Sequence, residues 1–299
     1  MIITIEGPTG AGKSSLAIEL AKALDTQIIS SDSRQVYRYL DIGTAKVKQA
    51  QQKEIKHHLI DIINPDQSYN AGLFAADASA IIAKLRQEDK IPIICGGTGL
   101  YIRSLLEGLF QHPAIDTAIR EGLRLRLHVE GLSELYSELS KLDPSFAQRI
   151  GPKDPQRTLR GLEIFQATGK TISQHWAEQN NKNAYNAFRI LIMPPREQLY
   201  EKINLRLREM VEQGLPEEIL SVLERGYSWD DPGLNSLGYK EFRPHFDGDA
   251  SIAECAILAA QHHRNYAKRQ STWYRKVSFD LTIPSSCFNL SDVLRAIHA

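Results

Sequence analysis

The sequence predicts an α/β fold: a parallel sheet flanked by helices, interrupted by an all-helical insertion. Three observations carry this. Short apolar runs rich in β-branched residues alternate with stretches of helical spacing through the first hundred residues. That alternation stops near His112 and resumes at Phe188. Between those points helical segments follow one another without a strand pattern.

The bulk properties allow such a chain. At 299 residues it is long enough for one large domain with an insert. Apolar residues make up 42% and charged residues 24%, enough to bury a core and stay in water. The formal net charge is zero, so any nucleic-acid surface has to be a local patch. Cys95, Cys255 and Cys287 are too scattered for a zinc site or a disulfide framework, which points to a reducing, cytoplasmic setting. The first predicted strand begins at once, so no signal peptide is expected, and no run of about 18 apolar residues predicts a membrane span. No apolar repeat stands out, which favours a monomer.

Ile2 to Ile5 is the first strand. Gly7-Pro8-Thr9-Gly10-Ala11-Gly12-Lys13-Ser14 follows and fits the phosphate-loop pattern G-x-x-x-x-G-K-[ST]. Leu16 to Leu24 then reads as a helix, completing the strand–loop–helix context the pattern requires. Glycines let successive N–H groups curl round an anion, and the helix adds its positive end. Lys13 supplies a point charge, and the Ser14 hydroxyl is placed to ligate Mg²⁺. The pattern recognises phosphate groups and leaves open what carries them.

Gln27 to Ser31 reads as the second strand, ending at Asp32-Ser33-Arg34-Gln35. Working residues in open α/β sheets sit at carboxyl ends of strands, so Asp32 is either such a residue or a turn aspartate. Residues 39–46 read as an ordered loop near the site. His58 to Ile62 is a third short strand; adjacent His57 and His58 point opposite ways, which favours a structural role over shared metal ligation. The apolar run before Asp61 is too short to make it a metal-binding acid of the Walker-B kind. Asn70 caps a helix over 71–88. Ile91 to Cys95 is a buried strand, followed by Gly96-Gly97-Thr98-Gly99 and a helix over 100–109. The glycines either allow a ligand close to the backbone, with the Thr98 hydroxyl beside it, or make a plain tight turn.

The insert, placed at 112–185 between core parts 1–111 and 186–299, has helices over 116–130, 133–142 and 155–168. Gln156 and Arg160 lie four apart on the last, with Arg157 adjoining: a phosphodiester-gripping face or a solvated one. Arg120, Arg124 and Arg126 add charge. After the strand Phe188 to Met193 come helices over 197–213 and from Pro216 to Gly226, then a loop over 235–242. A long helix over 251–276 ends in His262 to Lys276, with five Lys/Arg, three aromatics and no acid. That mixture suits nucleic acid, cations for phosphates and rings for bases, and equally a charged helix end packing its Trp inward.

Taken together, GPTGAGKS, DSRQVYRYLDIGTAK, HHLIDI, GGTGLY, DPQRTLRGLE, NSLGYKE and YAKRQSTWYR resemble the tRNA dimethylallyltransferase family, also called tRNA isopentenyltransferases, from about Ile2 to Arg275. The resemblance implies a P-loop NTPase-like core, an insert gripping the anticodon stem-loop, and transfer of a dimethylallyl group from dimethylallyl diphosphate to N6 of the adenosine 3′ of the anticodon. It implies diphosphate binding by Gly7 to Ser14 with Arg206, Mg²⁺ held partly by Ser14, and catalytic roles for Lys13, Asp32 and Thr98, with Asp32 as base. It implies tRNA contacts from Asp32, Ser33, Arg34, Gln35, Thr98, Arg120, Gln156, Arg157, Thr158, Leu159 and Arg160. Gly10-Ala11 and Ser14 stand where members often carry Ala-Ser and Thr; serine keeps the hydroxyl. The alternatives are an adenylate isopentenyltransferase acting on free AMP, ADP or ATP, a P-loop small-molecule kinase, and an RNA-binding protein that senses a nucleotide.

Overall fold

A computed structural model describes residues 1–108, 115–178, 185–285 and 287–298. The chain divides into two compact units, one from residues 1–107 and 183–299, the other from 108–182. The expected core–insert junction at 111/112 and the end of the 100–109 helix at Leu109 lie outside the described residues.

The first unit is built on six parallel strands: β1 (Ile2–Glu6), β2 (Ile28–Ser30), β3 (His57–His58), β4 (Ile93–Gly96), β5 (Ala187–Ile192) and β6 (Leu281–Ile283). Their order is β3-β2-β4-β1-β5-β6. β1 is central and buried at all five positions, because a parallel sheet is covered on both faces. Its alternation shows the two faces. Ile3 and Ile5 join Ile93, Cys95, Ile190 and Ile192 in one cluster; Ile2 joins Ile29 and Ile94 in another. The first cluster is covered by α1 (Lys13–Ala23) and, through Val293 and Ile297, α14 (Leu290–His298). The second is covered by α3 (Ala71–Gln87) and α4 (Gly99–Glu107), with Asn70 capping α3 through Gly72 and Leu73 N–H groups.

A third cluster joins Val36, Tyr37 and Leu40 to α10 (Arg196–Glu212), α11 (Leu215–Glu224) and α13 (Ile252–Tyr274). Ser251 and Glu254 form a capping box that starts α13. Short α2 (Gln49–Glu54) and α12 (Arg243–Phe246) complete the unit. Among the described residues no helix is long and apolar enough to cross a membrane.

The second unit is helical: α5 (Thr117–Glu130), α6 (Leu132–Leu142), α7 (Pro144–Ile150), α8 (Pro155–Thr168) and α9 (Ile172–Glu178). Leu123, Leu135, Leu139, Phe146, Leu162 and Ile164 form its core. Buried Asp143 ties it together, accepting from Phe146 N–H and from the Ser173 N–H and hydroxyl.

The third strand differs from expectation. It is His57–His58, because Leu59 and Asp61 adopt φ of 62° and 56° and turn the chain. His57 Nδ1 meets the Ile55 carbonyl at 2.7 Å and His58 Nε2 the Gln27 amide oxygen at 2.7 Å. Asp61 pairs with Lys46 at 2.6 Å. The short elements α2, α7, α9, α12, β6 and α14 have no counterpart in the sequence reading. The expected loop over 235–242 ends in a 3₁₀ turn, Lys240–Phe242.

Candidate active site

The carboxyl ends of β1, β2 and β4 open on a cavity of about 570 Å³ lying entirely within the first unit. β1 delivers the phosphate loop, with Gly12 at φ 92° heading α1. Lys13 Nζ folds back to donate to the Pro8 carbonyl at 2.8 Å. Burial pushes the Lys13 pKa down, opposed by Cys95 and Asp32 and reinforced by Arg206. The Cys95 thiol is pushed up to about 12, mainly by burial, and stays protonated. Ser14 is exposed on the first turn of α1 and lines the cavity. Two loop donors are already engaged: Thr9 N–H with Gln270 Oε1 at 2.9 Å, and Ala11 N–H with the Pro8 carbonyl at 3.2 Å.

β2 delivers Asp32. Its Oδ1 accepts the Arg34 N–H at 2.8 Å, so it makes a local turn and lines the cavity as well. β4 delivers Gly96, Gly97 and Thr98. Thr98 N–H donates to the Ser31 carbonyl at 3.2 Å, and its Oγ1 accepts the Ser33 N–H at 3.1 Å. A Cβ on Gly96 would sit 2.2 Å from the Ser31 carbonyl oxygen. The two strand ends therefore approach as closely as glycine permits, and the Asp32 turn is fastened to Thr98. Tyr266 on α13 lies beside Thr98, and burial raises its pKa.

α13 closes the site from the other side of the sequence. His263, Tyr266, Arg269 and Gln270 line the cavity. Gln270 Nε2 donates to the Gly97 carbonyl at 2.8 Å, and the Tyr274 hydroxyl reaches the same oxygen at 3.3 Å. Burial holds the His263 pKa down to about 4, with nearby Arg206 and His262 adding to it. Arg206 on α10 also has its pKa lowered by burial, opposed by Asp32. Lys13, Arg34, Lys202, Arg206, Lys240 and Arg269 line the cavity against one carboxylate, Asp32. Such a chamber selects a highly charged anion. Gln35 lines it too, but its amide is occupied with the carbonyls of Thr44 and Ala45 at 3.4 and 3.3 Å.

On the second unit, Arg120 on α5 lies 4.0 Å from Glu163 on α8, and Arg160 lies 3.2 Å from the same carboxylate. Gln156 and Arg157 are exposed. Thr158 and Leu159 lie on the packed side of α8. The Thr158 side chain is buried and donates to the Asp154 carbonyl at 2.7 Å, and Leu159 packs on the helical core. A helix presents only part of five consecutive residues to one side.

Sequence reasoning missed the roles of Gln270, Tyr266 and His263. The signal was there: they recur at i, i+3 and i+7 on a helix already marked as basic and aromatic. Among the described residues no three His, Cys, Asp or Glu side chains converge on a metal position. The Ser14 hydroxyl is one hard oxygen donor on the first turn of α1, and a single such donor there fits a cation that would be held chiefly by phosphate oxygens and water.

The model of the family described as IPP transferase matches residues 35–277. The chain is 43% identical over 275 residues to tRNA dimethylallyltransferase 1 of Trichlorobacter lovleyi, covering 92% of this chain and 90% of that one. It is 38% identical over 298 residues to the tRNA dimethylallyltransferase of Alkaliphilus oremlandii, covering 98% and 95%. Among solved structures, the tRNA isopentenylpyrophosphate transferase of Bacillus halodurans matches with TM-score 0.72 at 33% identity, over 99% of this chain and 94% of that one. A eukaryotic dimethylallyltransferase acting on tRNA matches with TM-score 0.83 at 27% identity, over 99% and 77%.

Proposed function

Because this chain belongs to the IPP transferase family, we propose that it transfers the dimethylallyl group of dimethylallyl diphosphate to N6 of the adenosine 3′ of the anticodon in tRNA, releasing diphosphate. One observation carries the reading at the site: a phosphate loop and the carboxylate of Asp32 open into the same cation-lined cavity.

The diphosphate occupies the phosphate loop. Lys13 leaves the Pro8 carbonyl for its oxygens, and Arg206 approaches from α10. As the allylic C–O bond breaks, negative charge collects on the leaving diphosphate, and these two cations stabilise it. Mg²⁺, held partly by the Ser14 hydroxyl, supplies further charge neutralisation to the diphosphate when bound.

The adenine leaves its stack to bring N6 to the allylic carbon. A C–N bond forms as the C–O bond breaks, and the N6 proton passes to Asp32 as general base. Oδ1 of Asp32 is engaged by the Arg34 N–H, which leaves Oδ2 for that proton. Thr98 keeps the turn in place through the Ser33 N–H. Gln156, Arg157, Arg160 and Arg120 grip the anticodon stem-loop backbone, the arginines supplying charge and Gln156 a hydrogen bond, without reading bases. The enzyme works in the cytoplasm, where its tRNA is.

The test is labelled dimethylallyl diphosphate with Mg²⁺ and either unmodified tRNA or AMP, and labelled ATP in a parallel reaction. Label in tRNA is the expected result. Label in AMP, or turnover of ATP without prenyl transfer, overturns it in favour of an adenylate isopentenyltransferase or a kinase; no covalent product at all leaves a binding protein.

A further inference from the structure

One stretch of the cavity wall is the loop Gly43-Thr44-Ala45, which has no helix or strand to hold it. Its anchorage lies behind the cavity. Glu218, on α11, accepts the N–H groups of Asp41 and Ile42 on Oε2 at 2.9 and 2.8 Å. Its Oε1 accepts the Gly43 N–H at 3.3 Å and the Tyr239 hydroxyl at 2.7 Å. Three consecutive amides turned onto one anion form a nest, the arrangement that elsewhere receives an external phosphate. Here the chain fills it with its own carboxylate.

The neighbouring contacts leave the loop little freedom. The Tyr239 ring is fully buried against Gly43, where a Cβ would lie 2.5 Å from it. Gln35 grips the carbonyls of Thr44 and Ala45 from the cavity side. Lys46 closes the loop's end on the Tyr37 carbonyl at 2.9 Å and on Asp61 at 2.6 Å. Of these ties, only Glu218 brings a negative charge to the amides, and charge-assisted bonds are the strong ones.

We propose that Glu218 is a positioning residue for the prenyl donor, an inference that rests on the donor reading above. By holding residues 41–43 it fixes the wall formed by Gly43 to Ala45 against the phosphate loop, so the chamber is shaped before the donor enters. A preformed pocket saves the ordering cost of binding, so loosening it weakens the donor's hold while leaving the chemistry of the bound complex intact.

The experiment is steady-state kinetics of Glu218→Gln with dimethylallyl diphosphate and tRNA varied separately, together with amide hydrogen exchange. Glutamine keeps the size of the side chain and removes its charge. The expected result is a rise of about tenfold in KM for dimethylallyl diphosphate, with kcat and the KM for tRNA within about twofold of wild type. The amides of Asp41 to Gly43 exchange faster, and Glu218→Asp lies between wild type and Glu218→Gln. An unchanged donor KM, or an equal rise in both KM values, overturns the proposal. Should Glu218→Gln fail to fold, Tyr239→Phe removes one bond to the same carboxylate and must raise the donor KM too; an unchanged value overturns it. Wild type that transfers no label to tRNA removes the donor reading and this role with it. Normal wild type with an insensitive variant removes this role alone.

Discussion

Thr9 and Gln270 are 261 positions apart and joined by a 2.9 Å hydrogen bond, the Thr9 N–H donating to Gln270 Oε1. The other end of the same amide donates to the Gly97 carbonyl at 2.8 Å. One side chain thus links the phosphate loop to the turn that carries Thr98. Gln270→Ala cuts both bonds at a site that depends on relative placement of donor and acceptor. We expect kcat/KM to fall by about 10²-fold, the scale of a misplacement of about 1 Å. Gln270→Glu keeps the acceptor for Thr9, loses the donor for Gly97 and puts a negative charge beside the phosphate loop, so it should fall at least as far. Steady-state kinetics with both substrates checks this.

Asp32 is the lone carboxylate among the residues lining the cavity. Asp32→Asn keeps an acceptor for the Arg34 N–H and removes the carboxylate proposed as the base. Turnover should drop by about 10²–10⁴-fold while tRNA affinity changes far less. Single-turnover rates and a binding titration separate the two. Near-normal turnover would remove Asp32 from the role of base.

Two glycines should respond in opposite senses to alanine. At Gly96 the new methyl meets the Ser31 backbone at 2.2 Å, so Gly96→Ala should destabilise by about 1–3 kcal/mol or more. At Gly122, in the interior of α5, nothing lies within 4 Å, and Gly122→Ala should stabilise by about 0.5–1 kcal/mol. Thermal or denaturant melts of the two variants provide the measurement.

The pKa of His263, about 4 in the folded chain against an ordinary 6.5, has a consequence for stability. Between those values the unfolded chain binds the proton and the folded one does not. Stability therefore rises with pH across this window and is lost as pH falls from 6.5 towards 4. His263→Gln removes this contribution, so its stability profile should be flatter than wild type between pH 4 and 6.5. Urea melts across that range compare the two slopes.

Arg157 is exposed on α8 and pairs only loosely, at 3.5 Å, with Asp154. If it contacts a phosphate, Arg157→Gln should weaken tRNA binding uniformly and lower the salt slope of log K by about 0.7–0.9. An unchanged slope would take Arg157 out of the interface.

Much of the frame was legible because its signals are local. The phosphate loop needs only eight residues and their flanking strand and helix, and the buried strands announce themselves as apolar runs at β1, β4 and β5. Asn70 and Ser251 mark helix starts through bonds made within three residues. Short elements left weaker traces. α7 and α9 have seven residues each and β6 has three, too few for a period to stand out. β3 is shorter than its apolar pattern suggests because nothing in HLIDI signals that Leu59 and Asp61 take left-handed backbone.

Residue types and spacing were enough to place Lys13, Ser14, Asp32 and Thr98 at the carboxyl ends of strands, where an open α/β sheet does its work. They were not enough to show that Gln270 spans two of those ends, that Glu218 fills a nest behind the cavity, or that Thr158 turns inward. Each of these is a contact between segments far apart in the chain, or a choice of helix face made by packing. A strand, a cap or a phosphate loop is specified by neighbouring residues; a side chain's partner across a fold depends on where every intervening element docks.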